Sequence, residues 1–175
     1  TYGDWSSDVC SSDLLRDAVA HGSIAWETRV LAAAHGLARV PVPVDPYGED
    51  ADQWEDAHRH LHTALTSACR SRWLLQFCAV LDAQYIRYRR IVLARNWQSK
   101  TFSDRVHSEH NALVQAAINR DANAAVGLLQ AHFDSNAQEV LQLCEEQLLT
   151  QRTDPGKRSA GSKTKRTERS ASKAS

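Results

Sequence analysis

The stretch WEDAHRHLHTALTSAC, residues 54–69, decides the fold of this chain. Its apolar and aromatic side chains recur at intervals of three and four, the spacing of one face of an α-helix. This spacing predicts a helix over residues 52–69 that packs through one face, and that face includes two imidazoles. The members of the face are Trp54, His58, Leu61, His62, Leu65 and Cys69.

Helical periodicity continues on both sides of this segment, and no alternating strand pattern competes with it. Ser103 and Asp121 are the expected N-caps of two later helices. Gly22, the proline-rich stretch RVPVPVDPYGED and the stretch NWQSKT are the expected breaks. We therefore expect an all-α fold, an antiparallel bundle of about six helices. Besides residues 52–69, the predicted helices cover residues 23–38, 71–95, 103–120 and 122–149, and residues 15–21 are predicted as the end of a further helix.

The charge of the chain is unevenly distributed. The 175 residues include 21 Lys or Arg and 21 Asp or Glu, but residues 151–175 contain eight basic and two acidic side chains. That segment has no large apolar residue, so we expect a disordered basic tail after a single domain over residues 15–150. No apolar run reaches the length of a membrane span. The cysteines show no C-x-x-C spacing, which favours a reducing, cytoplasmic location.

The first fourteen residues differ from the rest. The stretch DWSSDVCSSDL, residues 4–14, has four Ser, three Asp and no helical period. Its back-translation resembles a common short-read sequencing adapter. We interpret residues 1–14 as an artefactual N-terminus, with a genuine disordered terminus as the alternative.

Four histidines lie on the apolar faces of three predicted helices. His58 and His62 are one turn apart, His110 belongs to the face of the fifth helix, and His132 to that of the sixth. Neutral imidazoles that point into one bundle interior can bind a divalent transition metal such as Zn or Ni. The alternative is four core histidines, each with its own carbonyl or carboxylate partner. His107 is close enough to the face of the fifth helix to replace His110.

Three further residues are candidates for binding a carboxylate ligand. Arg87 and Arg89 follow Tyr85 on the longest predicted helix, and a guanidinium that faces inward can hold a carboxylate through two bonds. A solvated basic face is the alternative for at least one of them. Asn136 lies one turn after His132.

Enzyme motifs are missing from the sequence. It contains no G-x-S-x-G, no H-E-x-x-H and no glycine-rich phosphate loop. Glu109 is adjacent to His110, and consecutive helical side chains diverge by about 100°, so we expect it to point elsewhere. We therefore assign no catalytic residue and expect that the chain is not an enzyme.

Three segments resemble a known family: WEDAHRHLHTALTSACRSRWLL, RYRR and EHNALVQAAINRDANAAVGLLQAH. They are similar to the FCD ligand-binding domain of GntR-type bacterial transcription regulators of the FadR subfamily, and most of all to its CsiR-like branch. The resemblance covers about residues 15–149. It implies a homodimeric helical bundle that senses a small carboxylate effector beside a bound divalent metal.

The resemblance also implies roles for particular residues. The family's metal ligands are an Asp or Asn followed by three His, and these positions fall on His58, His62, His110 and His132. His58 stands where an Asp is usual, which leaves the site more positive and favours an anionic effector. The family binds DNA through a winged helix-turn-helix domain before the FCD domain, and we expect that half to be missing from this chain.

Two other functions remain open from the sequence. One is a standalone metal-dependent helical-bundle enzyme acting on a small organic acid. The other is a helical interaction module in which the histidines are structural.

Overall fold

The structure is a computed structural model that describes residues 7–43, 45–96 and 99–153 of the chain. These residues form six α-helices and no strand, so the prediction of an all-α bundle is confirmed. The helices are α1 (Ser7–His21), α2 (Ile24–Arg39), α3 (Glu49–Thr66), α4 (Arg72–Asn96), α5 (Lys100–Ile118) and α6 (Ala122–Thr153). None of them is long and apolar enough to cross a membrane.

Side-chain caps explain several of these bounds. The Ser23 hydroxyl accepts the backbone N–H of Trp26 at the start of α2, and the Asp121 carboxylate accepts that of Ala124 at 2.9 Å at the start of α6. The predicted cap of α5 was wrong. Ser99, not Ser103, accepts the N–H of Phe102, because the helix begins one turn earlier and buries the Phe102 side chain.

The N-terminal boundary also differs from the expectation. Residues 15–21 form the end of a helix, as predicted, but α1 begins at Ser7, and Leu14 is buried beside Ala18 and Cys69. The interpretation of residues 1–14 as artefactual stays a prediction. The proposed tail beyond residue 153 lies outside the described residues.

Helices α1 to α6 contribute to one hydrophobic core in the unit that ends at Val140. Residues from Leu141 onward belong to a second unit, which contains the last turns of α6. Gly22 is required between α1 and α2, since a Cβ there would lie 2.2 Å from the Trp26 ring. The core fixes the inward faces of α3, α5 and α6, where the predicted histidines lie. Its largest members are Leu15, Trp26, Val30, Trp54, Leu61, Leu65, Leu93, Phe102, Leu113 and Leu129.

Candidate metal centre

The structure brings the four predicted histidines together. One ring nitrogen from each of His58, His62, His110 and His132 lies within 4.8 Å of the others. The Nε2 atom of His62 is 3.2 Å from Nε2 of His58 and 3.3 Å from Nε2 of His110. His62 is half-buried and the other three are buried. His107 is outside this group, and its Nδ1 donates to the Ser103 carbonyl at 2.8 Å.

In two of the imidazoles a hydrogen bond determines which ring nitrogen carries the proton. His110 Nδ1 lies 2.7 Å from the Val106 carbonyl, which can only accept, so Nδ1 bears the proton. His132 Nδ1 donates in the same way to the Glu109 carboxylate at 2.8 Å. In a neutral ring the Nε2 atom is then unprotonated and has a free lone pair. The Nε2 atom of His110 faces that of His62, and the Nε2 atom of His132 lies 3.4 Å from the Asn136 amide nitrogen.

The distances within the cluster also fit a metal. Two nitrogens 2.0–2.1 Å from a tetrahedral zinc ion lie about 3.3–3.4 Å apart. The two Nε2–Nε2 distances at His62 are close to this value. One proton on His62 Nε2 could serve only one of these neighbours, so hydrogen bonding alone leaves the cluster unsatisfied.

His58 adds a further sign that these are not ordinary core histidines. Its ring stacks on Trp54 with centroids 4.8 Å apart, and its Nδ1 is buried without a hydrogen-bond partner. A core histidine would be expected to have a partner for that atom. The donor set therefore fits a nitrogen-bound divalent cation better than four separately satisfied side chains.

Burial keeps three of these imidazoles, His58, His62 and His110, neutral. It is the main cause that lowers the pKa of His58 and of His62 well below the ordinary value, and the neighbouring imidazoles and the Arg89 charge lower it further. Burial, followed by the charge of His132, lowers the pKa of His110 to about 4. Neutral imidazole is the form that binds metals.

These shifts predict an acid-sensitive metal-free protein. The folded-state pKa values lie below the unfolded value of 6.5, so the unfolded chain binds more protons as the pH falls through 6.5. Stability should be complete above pH 6.5 and decline below it, by about 2 kcal/mol from His110 alone between pH 7.5 and 5. Urea unfolding in chelator across this range measures the slope. The slope should be smaller in His110→Gln, and a flat profile for the unsubstituted chain would contradict the prediction.

Arg89 lies beside the histidine cluster, on the inner side of α4. Its Nε donates to Glu55 at 3.1 Å, its Nη2 also donates to Glu55, and its Nη1 donates to Asp82 at 3.2 Å. Burial alone would lower the pKa of Arg89, but the bonds and charges of Glu55 and Asp82 outweigh it and raise the pKa. Arg89 therefore stays charged next to the imidazoles.

The other two candidate ligand residues have different positions. Arg87 is exposed, and its guanidinium donates to Gln84 on the same helix, so the structure does not bring it to the cluster. Two residues apart on a helix point in nearly opposite directions, which is why Arg89 faces inward and Arg87 does not. Asn136 is half-buried, with Nδ2 3.4 Å from His132 Nε2.

Sequence reasoning missed Glu109. It was expected to point away from the site, but its carboxylate accepts the Nδ1–H of His132, and Arg105 lies 3.9 Å away. α5 contacts α3 through His110 and α6 through Glu109, so the divergence between adjacent residues directs them to two sides of one site. Burial opposes ionisation of Glu109, yet the bond and charge of His132 lower its pKa.

The FCD domain family matches residues 12–135. The chain is 36% identical over 135 residues to an uncharacterized HTH-type transcriptional regulator, BphR, of Paraburkholderia xenovorans, covering 74% of this chain and 52% of that protein. It is 35% identical over 116 residues to the HTH-type transcriptional repressor GlaR of Escherichia coli, covering 66% and 52%. The chain thus spans about half the length of these relatives, and no solved structure gives a significant match.

Proposed function

This chain belongs to the FCD domain family, and from that we propose that it is the effector-sensing and dimerising domain of a GntR-type transcription regulator. We propose that it binds a divalent transition metal and a small carboxylate effector. The observation that supports the metal is the convergence of four imidazoles within 4.8 Å.

The regulatory role agrees with the comparisons. The FCD domain is a regulatory ligand-binding domain, and both curated relatives are named as transcriptional regulators. The prediction that the chain is not an enzyme is confirmed on this basis, and the metal-dependent enzyme is dropped as an alternative. In the whole protein, we propose that DNA is bound by a winged helix-turn-helix domain in the half that this chain does not cover, in a cytoplasmic homodimer.

The donor set limits which metal the site would take. Imidazole ligands favour Zn, Ni and similar ions over Mg or Ca, which prefer oxygen. His62, His110 and His132 would hold the metal, with His58 as the fourth ligand. A bound cation would supply the positive charge that attracts a carboxylate.

The chain's own residues would orient that carboxylate. A guanidinium has five N–H donors, of which Glu55 and Asp82 occupy three in Arg89. The remaining donors of Arg89 and the Asn136 amide could bind an anionic oxygen. The exposed position of Arg87 gives no support for a role there.

Metal content and ligand-dependent melting test this function. We expect about one transition metal per chain after purification without chelator, measured by elemental analysis. Short dicarboxylates and 2-hydroxy acids should raise the melting temperature with the metal present and lose that effect in chelator. Metal-free protein whose melting is unchanged by zinc, nickel or chelator would instead favour the helical interaction module.

Glu109→Gln should weaken the metal site without unfolding the domain. Glutamine can still accept the Nδ1–H of His132. It lacks the negative charge that makes the Nε2 atom of this imidazole a stronger electron donor to a metal. Outer-shell partners of this kind contribute about 10–100-fold to metal affinity. Competition titration with a chromophoric chelator measures the change. Asp104→Asn, an exposed acid on the same helix, should bind the metal with unchanged affinity.

A further inference from the structure

The side of α4 that faces away from the core is apolar along most of its length. Residues 73, 77, 80, 88 and 91 recur at helical spacing on one side, over about 27 Å. We call these five residues the α4 stripe. Single exposed apolar residues are normal, but five on one side of one helix, interrupted there by Gln84, mark an interaction surface. The exposed fractions are 83% for Trp73, 52% for Phe77, 62% for Val80, 43% for Tyr88 and 39% for Ile91.

We propose that two copies of this chain pair through the α4 stripe, with the two α4 helices antiparallel about a two-fold axis near Asp82. The proposal rests on the proposed function as a dimerising domain, and it assigns the α4 stripe as the surface through which two copies make contact. In a two-fold contact, residue i meets residue j of the partner and j meets i, so one surface must complement itself.

In this register the two apolar ends of the stripe meet each other, while Phe77 lies opposite Arg87 and Tyr88 opposite Gln76, whose aliphatic stems can pack on the rings. Trp73 and Ile91 are each nine positions from residue 82, and Val80 and Gln84 are each two positions from it. The antiparallel arrangement therefore places the exposed indole at one end against isoleucine at the other.

The area of the stripe is sufficient for a dimer. Aromatic side chains have about 150–250 Å² of surface each, and the exposed fractions leave roughly 500 Å² of apolar side chain per copy. Two copies would cover about 1,000 Å², the minimum that a biological interface is expected to bury. Among the described residues before Leu141, the other large apolar side chains that are exposed are Ile24, Leu31 and Tyr47, which do not lie on α4.

The stripe and the candidate metal centre share one helix. Arg89, which bonds to Glu55 beside the imidazoles, is on the inner side of α4, and Tyr88 and Ile91 are on its outer side. A second copy on the stripe would thus be separated from the site by the width of a single helix.

Sedimentation equilibrium of the 175-residue chain tests the surface with two matched arginine substitutions. Val80→Arg places a charge at the centre of the stripe, and Leu31→Arg places one on an exposed aliphatic residue of α2. We expect the unsubstituted chain and Leu31→Arg to be dimers at micromolar concentration. Val80→Arg should raise the dimer dissociation constant by at least about 100-fold, since each dimer would bury two unpaired charges. Circular dichroism establishes that each variant is folded.

The antiparallel register has its own test. Position 80 lies opposite position 84 of the partner, so mixing Val80→Arg with Gln84→Glu should form a heterodimer. The proposal is overturned if the unsubstituted chain is monomeric at 200 μM (about two hundred times a micromolar constant), if Val80→Arg still dimerises, or if Leu31→Arg dissociates equally. Metal content, measured on the same samples, separates failure of this surface from failure of the proposed function.

Discussion

His62→Ala should abolish stoichiometric metal retention while the helix content stays the same. The Nε2 atom of His62 is within 3.3 Å of the Nε2 atoms of both His58 and His110. Removing this ring therefore removes the nitrogen that lies closest to both of the other rings. We expect the affinity to fall by more than about 100-fold, the upper limit for an outer-shell residue. Elemental analysis and chelator competition measure the loss.

The matched control for this substitution is on the same helix. His60 is exposed on the opposite side of α3, so His60→Ala should retain the metal fully. His110→Ala should behave like His62→Ala. Stoichiometric metal in both His62→Ala and His110→Ala, with normal circular dichroism, would contradict the assignment of the four histidines as a metal site.

Glu55→Ala should destabilise the fold by about 3 kcal/mol. The Glu55 and Arg89 side chains are only 5% and 7% exposed, and removing the carboxylate leaves a buried guanidinium with Asp82 as its remaining acidic partner. Truncating one member of a buried ion pair costs this much because the other charge stays out of water. Urea unfolding at pH 7.5 measures the change.

Two further variants make this result specific. Asp56→Ala removes the neighbouring acid, which pairs with Arg59 at the surface, and should change stability by less than about 1 kcal/mol. Glu55→Leu combined with Arg89→Met should recover most of the loss, since an apolar pair replaces the ionic one. If Glu55→Ala were as stable as Asp56→Ala, the buried pair would not contribute to the fold as described.

The helical period alone was enough to place the four histidines. Faces of an α-helix are a local property, so residues at intervals of three and four share a side whatever the helix packs against. For that reason His58 and His62 could be paired from the sequence, and His110 and His132 could be assigned to inward faces. The same spacing also assigns Glu55 to the inward face of this helix, because Glu55 is three positions before His58 and seven before His62.

Other residues could not be placed without the tertiary structure. Local spacing allowed His107 as well as His110, and Arg87 as well as Arg89; the rotation of α5 and α4 against the core decided between them. The bond from Glu109 to His132 joins residues 23 apart on two helices. No helical period relates two helices to each other.

The sequence by itself thus determined an all-α chain with imidazoles on three inward faces, because amphipathic periodicity is a property of each helix alone. Only the tertiary structure decided that these imidazoles meet within 4.8 Å, which arginine lies beside them and which carboxylate orients His132. The physical reason is that those relations depend on the rotation and spacing of packed helices. These are set by the shapes of buried side chains such as Trp26 and Trp54.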